Sequence, residues 1–236
     1  MIDRKNPILC YVTDRRSLSV ASAPPVSISS GRGVSRADFS VESTRLVEKI
    51  AAIAAAGVDW VQIREKDLAA RELATLTQGA IARRSKARII VNDRLDVALA
   101  EGAGGVHLGE AGLPVADVAR FVKQTACDAN GDFLIGASCH SPDGAKAAVR
   151  DGAGYIFFGP VFATPSKAKF GEPQGLKKLA TVCDAVSVPV IAIGRITLEN
   201  AGECISSGAA GIAAIRLFQD VTDAAQIVST LKKLRP

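Results

Sequence analysis

Short apolar runs alternate along the chain with longer amphipathic stretches, and this alternation is the strongest regularity in the sequence. Eight runs are rich in β-branched and aliphatic residues: Leu9–Thr13, Val58–Ile63, Arg88–Val91, Gly105–Leu108, Phe133–Ala137, Tyr155–Phe158, Val188–Ile193 and Gly211–Ile215. The intervening segments, roughly 10–16 residues each, carry apolar positions at helical spacing, as at Leu46, Ile50, Ile53 and Ala54. Strands alternating with helices imply βαβ units and a parallel sheet. Eight units in 236 residues imply closure into a (β/α)8 TIM barrel, one domain over residues 1–236. An open doubly wound sheet is the competing architecture.

A weak repeat supports the barrel. Ala56-Gly57-Val58-Asp59-Trp60, Glu101-Gly102-Ala103-Gly104-Gly105-Val106, Asp151-Gly152-Ala153-Gly154-Tyr155-Ile156 and Ser207-Gly208-Ala209-Ala210-Gly211-Ile212 read as one device. In each, a glycine closes a helix in the left-handed conformation and a strand starts within a few residues. Residues 17–40 break the rhythm: they are rich in Ser, Pro, Gly and Arg and lack periodicity. A loop of that length after the first strand belongs at the catalytic face and is either functional or disordered; its small, polar composition favours disorder.

Composition narrows the classes of function. Hydrophobic residues make up 48% and charged residues 22%, enough for one large core with an ordinary surface. The net charge of +5 is scattered, with only short clusters such as Arg83-Arg84 and Lys177-Lys178, so no nucleic-acid stripe is expected. No run approaches a membrane span, and the first residues lack a signal-peptide core. The five cysteines, Cys10, Cys127, Cys139, Cys183 and Cys204, are widely spaced with no CxxC, which fits idle thiols in a reducing cytoplasm. The expected partners are small phosphorylated molecules, with no nucleic acid and no membrane, and with a homodimer left open as the assembly.

Candidate chemistry gathers at the strand ends, where barrel enzymes carry their sites. After Tyr155–Phe158 comes Gly159-Pro160-Val161-Phe162-Ala163-Thr164-Pro165-Ser166-Lys167, a rigid turn followed by two hydroxyls and a lysine suited to a phosphate or diphosphate. The second strand continues into Gln62-Ile63-Arg64-Glu65-Lys66, where alternation puts Gln62 and Arg64 on the interior side. Arg64 then either pairs with an acid or faces a ligand anion. Asn92 offers an amide to a heterocycle, and Asp93 is either a hard oxygen ligand for Mg²⁺ or the cap of the following helix. The two histidines, His107 and His140, both fall at strand ends, and His140 is a candidate acid/base group. Ser141-Pro142 reads as an N-cap with proline at the first helical position. Cys139 and His140, as strand neighbours, point to opposite faces and do not form a nucleophile pair. Gly194 would let backbone N–H groups approach a phosphate, with Arg195 and Arg216 beside it; the alternative is pairing of these arginines with Glu199 or Asp220.

Six motifs in order, Gln62-Ile-Arg-Glu-Lys66, Asn92-Asp-Arg94, His107-Leu-Gly109, Gly136-Ala-Ser138, Gly159-Pro-Val-Phe162 through Lys167, and Ala192-Ile-Gly194, resemble those of thiamine phosphate synthases over nearly the whole chain from Leu9 to about Phe218. The resemblance implies a TIM barrel that joins a hydroxymethylpyrimidine diphosphate to a thiazole phosphate, giving thiamine phosphate and pyrophosphate with Mg²⁺. It implies that Gln62, Arg64, Lys66 and Asn92 hold the pyrimidine diphosphate and that Ser138 and Lys167 contact its diphosphate, with His107 a further substrate-binding candidate. It implies further that Thr164, Ser166 and Gly194 hold the thiazole phosphate and that Asp93 ligates the metal. Three departures stand out. Gly112 occupies the place of the family's second metal-binding Asp, leaving Glu110 as a substitute carboxylate; Arg195 replaces a Gly; and Arg216 stands where a Ser is usual. They keep open the sister thiazole tautomerases, in which a His in the position of His140 is the acid/base group, and a non-catalytic regulator that binds thiamine-related phosphates.

Overall fold

The computed structural model describes residues 6–18, 36–125, 131–163 and 172–235, with the side chains of 36–40 excepted. Eight parallel strands close in sequence order into a barrel: β1 (Ile8–Val12), β2 (Trp60–Ile63), β3 (Arg88–Asn92), β4 (Gly105–Leu108), β5 (Leu134–Cys139), β6 (Tyr155–Phe158), β7 (Val190–Ile193) and β8 (Gly211–Ala214), with β8 pairing back onto β1. Helices α2 (Arg36–Ala55), α3 (Ala70–Ala82), α4 (Leu95–Ala100), α5 (Val115–Gln124), α6 (Pro142–Arg150), α7 (Gly175–Ala185), α8 (Leu198–Ser206) and α10 (Ala224–Lys232) surround it, with short α1 (Arg15–Leu18) and α9 (Arg216–Gln219) at the strand ends. This is the expected (β/α)8 TIM barrel, and the open sheet is excluded by the β1–β8 pairing.

The two faces of each strand feed two cores. Leu9, Tyr11, Val61, Ile63, Ile89, Val91, Ile156 and Phe158 point outward and pack against the helices. Ile8, Cys10, Val12, Trp60, Ile90, Tyr155, Phe157, Ile191 and Ala213 fill the interior. The interior is thus dominated by three large rings, one of which, Tyr155, passes directly over Gly136; Gly105 and Gly211 instead let neighbouring strands approach, a Cβ on Gly211 coming 2.1 Å from the Ile8 carbonyl oxygen. Gly57, Gly102, Gly152 and Gly208 all hold positive φ, so the repeated helix-closing glycine is real.

Several boundaries move. β5 extends two residues past the expected Ala137, so Ser138 and Cys139 lie within the strand. α2 already covers residues 36–40, and Ser17 and Leu18 end α1, so the ends of the supposed loop are helical despite their polar composition; residues 19–35 lie outside the described residues. Among the described residues no helix is long and apolar enough to cross a membrane.

Candidate active site

The carboxyl ends of β2, β3 and β4 carry one continuous polar network. Gln62, 2% exposed, donates from Nε2 to Asn92 Oδ1 at 2.9 Å. Asn92 donates from Nδ2 to Asp93 Oδ2 at 2.7 Å, and the Gly109 amide donates to Asp93 Oδ1 at 2.8 Å. Lys66 Nζ stands 3.6 Å from Asp93 Oδ2. Asp93 adopts φ of +60° while its own amide donates to the His107 carbonyl, and the carboxylate lies against the loop that follows β4, beside Gly109 and Gly112. Asp93 therefore does not cap α4, whose N-cap is Arg94 without a side-chain cap bond.

Arg64 departs from the expected interior position. β2 ends at Ile63, and Arg64 is exposed on the rim. Its amide donates to Thr13 Oγ1 at 3.0 Å. Its neighbour Glu65 is the buried residue, accepting from Thr13 Oγ1 at 2.6 Å and from the Arg15 amide at 3.1 Å, with Arg15 also clamped on Asp67 at 2.8 and 2.6 Å. Burial pushes the Glu65 carboxyl upward, against those hydrogen bonds and the Arg15 charge. Glu65 is thus spent on Thr13 and Arg15 and does not pair with Arg64. No ion pair among the described residues involves Arg64, Arg195 or Arg216, so the pairings of Arg195 and Arg216 with Glu199 or Asp220 are not present.

His107 lies inside the barrel, 2% exposed, with Nδ1 3.0 Å from Tyr155 Oη, Nε2 2.8 Å from Ser138 Oγ and its ring centroid 4.3 Å from that of Phe157. Burial, the largest cause, lowers its pKa to about 3, which leaves the ring neutral at physiological pH. Ser138 is half-buried at the mouth above it. His140 sits just past β5; its Nδ1 hydrogen bonds the Gly159 carbonyl, and its Nε2 is 3.7 Å from Glu110 Oε2. Cys139, buried, has its thiol pushed up to about 11, so it is no nucleophile. Ser141 caps α6 as expected, accepting from the Gly144 amide at 3.1 Å.

Across the mouth, the ends of β6 and β7 meet backbone to backbone. Val161 donates its amide to the Ile193 carbonyl at 2.9 Å, and Phe162 to Gly194 at 3.3 Å. Gly194 holds φ of +108°, and a Cβ there would come 2.5 Å from Pro160 Cα, so only glycine fits this crossing. Arg195 follows at φ of +52°, exposed, with Nη1 3.4 Å from the Ala163 carbonyl. Arg216 opens α9, also exposed. Thr164, Ser166 and Lys167 lie outside the described residues.

For a divalent cation, the described residues contain no cluster of three or more His, Cys, Asp and Glu side chains. A Cβ on Gly112 would lie 3.0 Å from Asp93 Oδ1, so a side chain there would stand against that carboxylate, and glycine leaves Asp93 alone. Glu110 is exposed, with Oε2 3.7 Å from His140 Nε2. Mg²⁺ is commonly held by one or two carboxylates together with substrate phosphates and water, and the Asp93 carboxylate at the mouth fits the one-carboxylate form of such a site.

Sequence reasoning gave no part to Tyr155, Glu65, Thr13 or Arg15. Tyr155 was hidden in an apolar run; the available signal was Gly136, an interior glycine in the neighbouring strand, which marks a large group passing over it.

A family model described as thiamine monophosphate synthase matches residues 34–218. A putative thiamine-phosphate synthase of Geobacter sulfurreducens is 49% identical over 163 residues, 68% of this chain and 73% of the relative. A thiamine-phosphate synthase of Chlorobium luteolum is 42% identical over 212 residues, covering 89% and 84%. A solved structure of thiamine phosphate pyrophosphorylase from Pyrococcus furiosus superposes with a TM-score of 0.74 at 28% identity, covering 98% of this chain and 96% of that one.

Proposed function

The chain belongs to the thiamine monophosphate synthase family, and from that premise we propose that its barrel mouth joins a hydroxymethylpyrimidine diphosphate to a thiazole phosphate. The observation that carries the reading is the Gln62–Asn92–Asp93–Lys66 network, which places amides and a cation side by side. Each amide keeps a hydrogen-bonding group beyond those it spends on its neighbours, enough to meet a pyrimidine's ring nitrogen and amino group. Lys66 and Arg64 supply positive charge beside them for the diphosphate.

In the reaction, the bond from the pyrimidine methylene carbon to the diphosphate oxygen breaks, and its electron pair leaves with the diphosphate. The lone pair of the thiazole nitrogen then forms the new C–N bond. The protein's tasks are to neutralise the departing charge and to hold the two rings in line. Arg64, Lys66, Lys167 and the Ser138 hydroxyl stabilise the leaving group; Gln62 and Asn92 orient the pyrimidine. The Gly194 crossing, with Thr164, Ser166, Arg195 and Arg216, receives the thiazole phosphate, in the region where barrels commonly bind phosphate. Asp93 would hold Mg²⁺, which would supply further neutralisation of the diphosphate. The enzyme works on free phosphorylated molecules in the cytoplasm.

A second reading rests on the His140–Glu110 pair, since a histidine with a carboxylate beside it suits proton transfer and hence tautomerisation of a thiazole carboxylate phosphate. One assay separates the two. The purified protein is mixed with the pyrimidine diphosphate, the thiazole phosphate carboxylate tautomers and Mg²⁺, and thiamine phosphate is followed by fluorescence after oxidation. Product formation supports the synthase; tautomer interconversion lost in His140→Asn, with no thiamine phosphate, supports the alternative.

A further inference from the structure

Tyr155, His107 and Ser138 form a hydrogen-bonded chain that rises from the barrel interior to the mouth, and three strands are shaped to make it. His107 on β4 is registered with Gly136 on β5, which is registered with Tyr155 on β6. The three positions form one row, with the glycine in the middle. A Cβ on Gly136 would fall 2.0 Å from Tyr155 Cζ and 2.4 Å from its hydroxyl, so the phenol lies directly over Gly136 to reach His107 Nδ1. Trp60 supports the phenol from the other side, with ring centroids 4.8 Å apart. Ser138 is two residues further along β5, one layer closer to the mouth, where its Oγ meets His107 Nε2 at 2.8 Å.

The direction of these bonds follows from hydrogen-bond accounting. Tyr155 is fully buried, and His107 is the partner of its hydroxyl among the described residues. If His107 carried its proton on Nδ1 and donated it to Tyr155, the phenolic hydrogen would be buried with no acceptor, which is the costly arrangement. Tyr155 therefore donates to Nδ1. A neutral imidazole then carries its hydrogen on Nε2 and donates it to Ser138 Oγ. Ser138 receives rather than gives along this chain, and its own hydrogen is left to point into the mouth. With the opposite tautomer, Ser138 would spend that hydrogen on His107 Nε2 and offer the mouth only lone pairs.

We propose that Tyr155 is a positioning residue that, through His107, keeps the Ser138 hydroxyl a donor toward the departing diphosphate. This extension rests on the synthase reading, in which Ser138 faces that group. A donor aimed where charge develops contributes to the rate, whereas an acceptor there opposes it.

Two measurements test it. The first uses the unmodified protein with ¹⁵N-labelled imidazoles, and the chain has two histidines to assign. Two-bond proton–nitrogen spectra are expected to show His107 as the Nε2–H tautomer, and an Nδ1–H tautomer overturns the proposal whatever the activity. The second is a double-variant cycle. Tyr155→Phe keeps the ring and is expected to lower kcat about tenfold with KM for the pyrimidine diphosphate little changed, the size expected of one neutral hydrogen bond. In a Ser138→Ala background the same substitution is expected to cost nothing further. An equal loss in both backgrounds shows a merely structural role and overturns the proposal. Ser138→Ala at full rate overturns the reading of Ser138 itself and this extension with it, and the wild-type tautomer then shows that the fault lies in that reading rather than in the bond directions.

Discussion

The two sides of the barrel mouth are built on different physical plans. On the β2–β4 side, Gln62, Asn92 and His107 are buried, and Asp93 takes hydrogen bonds from Asn92 and Gly109 with Lys66 beside it. On the β7–β8 side, a glycine crossing fixes the backbone, and the charged side chains, Arg195 and Arg216, are exposed. The first side is preorganised: its dipoles are held by one another, so little ordering is required when a ligand arrives. The second holds its backbone rigidly but shows no such buried network among the described residues; its cations, like Arg64 and Lys66 on the first side, are exposed, and their rotamer freedom is lost only on binding. The contrast suits the proposed chemistry, in which the first side would orient the pyrimidine and the second would retain a phosphate.

The largest expected break in this contrast comes from Asp93. Replacing it with Ala removes the acceptor that ties Asn92, Gly109 and Lys66 together, and kcat is expected to fall on the order of 10²–10³-fold, as for loss of a preorganised polar group. Steady-state kinetics at saturating thiazole phosphate checks this, and a loss under fivefold would mean that the network is ornamental.

Acid tests the same side through stability. Burial holds folded His107 at a pKa of about 3, below the 6.5 of an exposed imidazole, so the unfolded chain binds the extra proton first. The contribution of neutral His107 is complete above pH 6.5 and is lost as the pH falls toward 3, on the order of a few kcal/mol in all. Urea midpoints measured across that range should decline, and His107 ring resonances should keep their neutral positions to about pH 4. A ring that titrates near pH 6.5 contradicts the buried network.

On the opposite side, Gly194→Ala forces a Cβ against Pro160 at a left-handed φ, with an expected loss of about 1–3 kcal/mol in urea unfolding. An unchanged midpoint would show that the crossing is looser than it looks. The smallest effect belongs to Arg216→Ala. An exposed cation contributes little in water, so KM for the thiazole phosphate should rise only about three- to tenfold, and the difference should shrink at high salt as screening grows. A collapse of kcat instead would place Arg216 with the reacting groups and erase the contrast between the sides.

Much of this was legible in the sequence, and what was not has physical causes. The strand runs announce themselves because both faces of a parallel barrel strand are largely apolar, so the eight apolar runs and the eight strands agree within a few residues. Arg64 escapes the alternation rule because β2 ends at Ile63 and the chain then turns onto the rim. Glu65, read as a motif letter, proved to be the buried acid under that turn, a fact that depends on Thr13 and Arg15, some 50 positions away. Tyr155 read as one more apolar residue because its hydroxyl partner lies two strands over. The start of α2 is hard to read because within Arg36–Arg45 only Phe39 continues the spacing of Leu46, Ile50 and Ile53.

The most direct test of the asymmetry is calorimetric titration of the pyrimidine diphosphate, with Mg²⁺ and without thiazole phosphate, into the wild-type protein and the Gln62→Ala variant. The account predicts binding to wild type with no second substrate present, weakened at least tenfold in the variant. Binding that appears only after thiazole phosphate is added, or that is indifferent to Gln62, would contradict a preformed pyrimidine side.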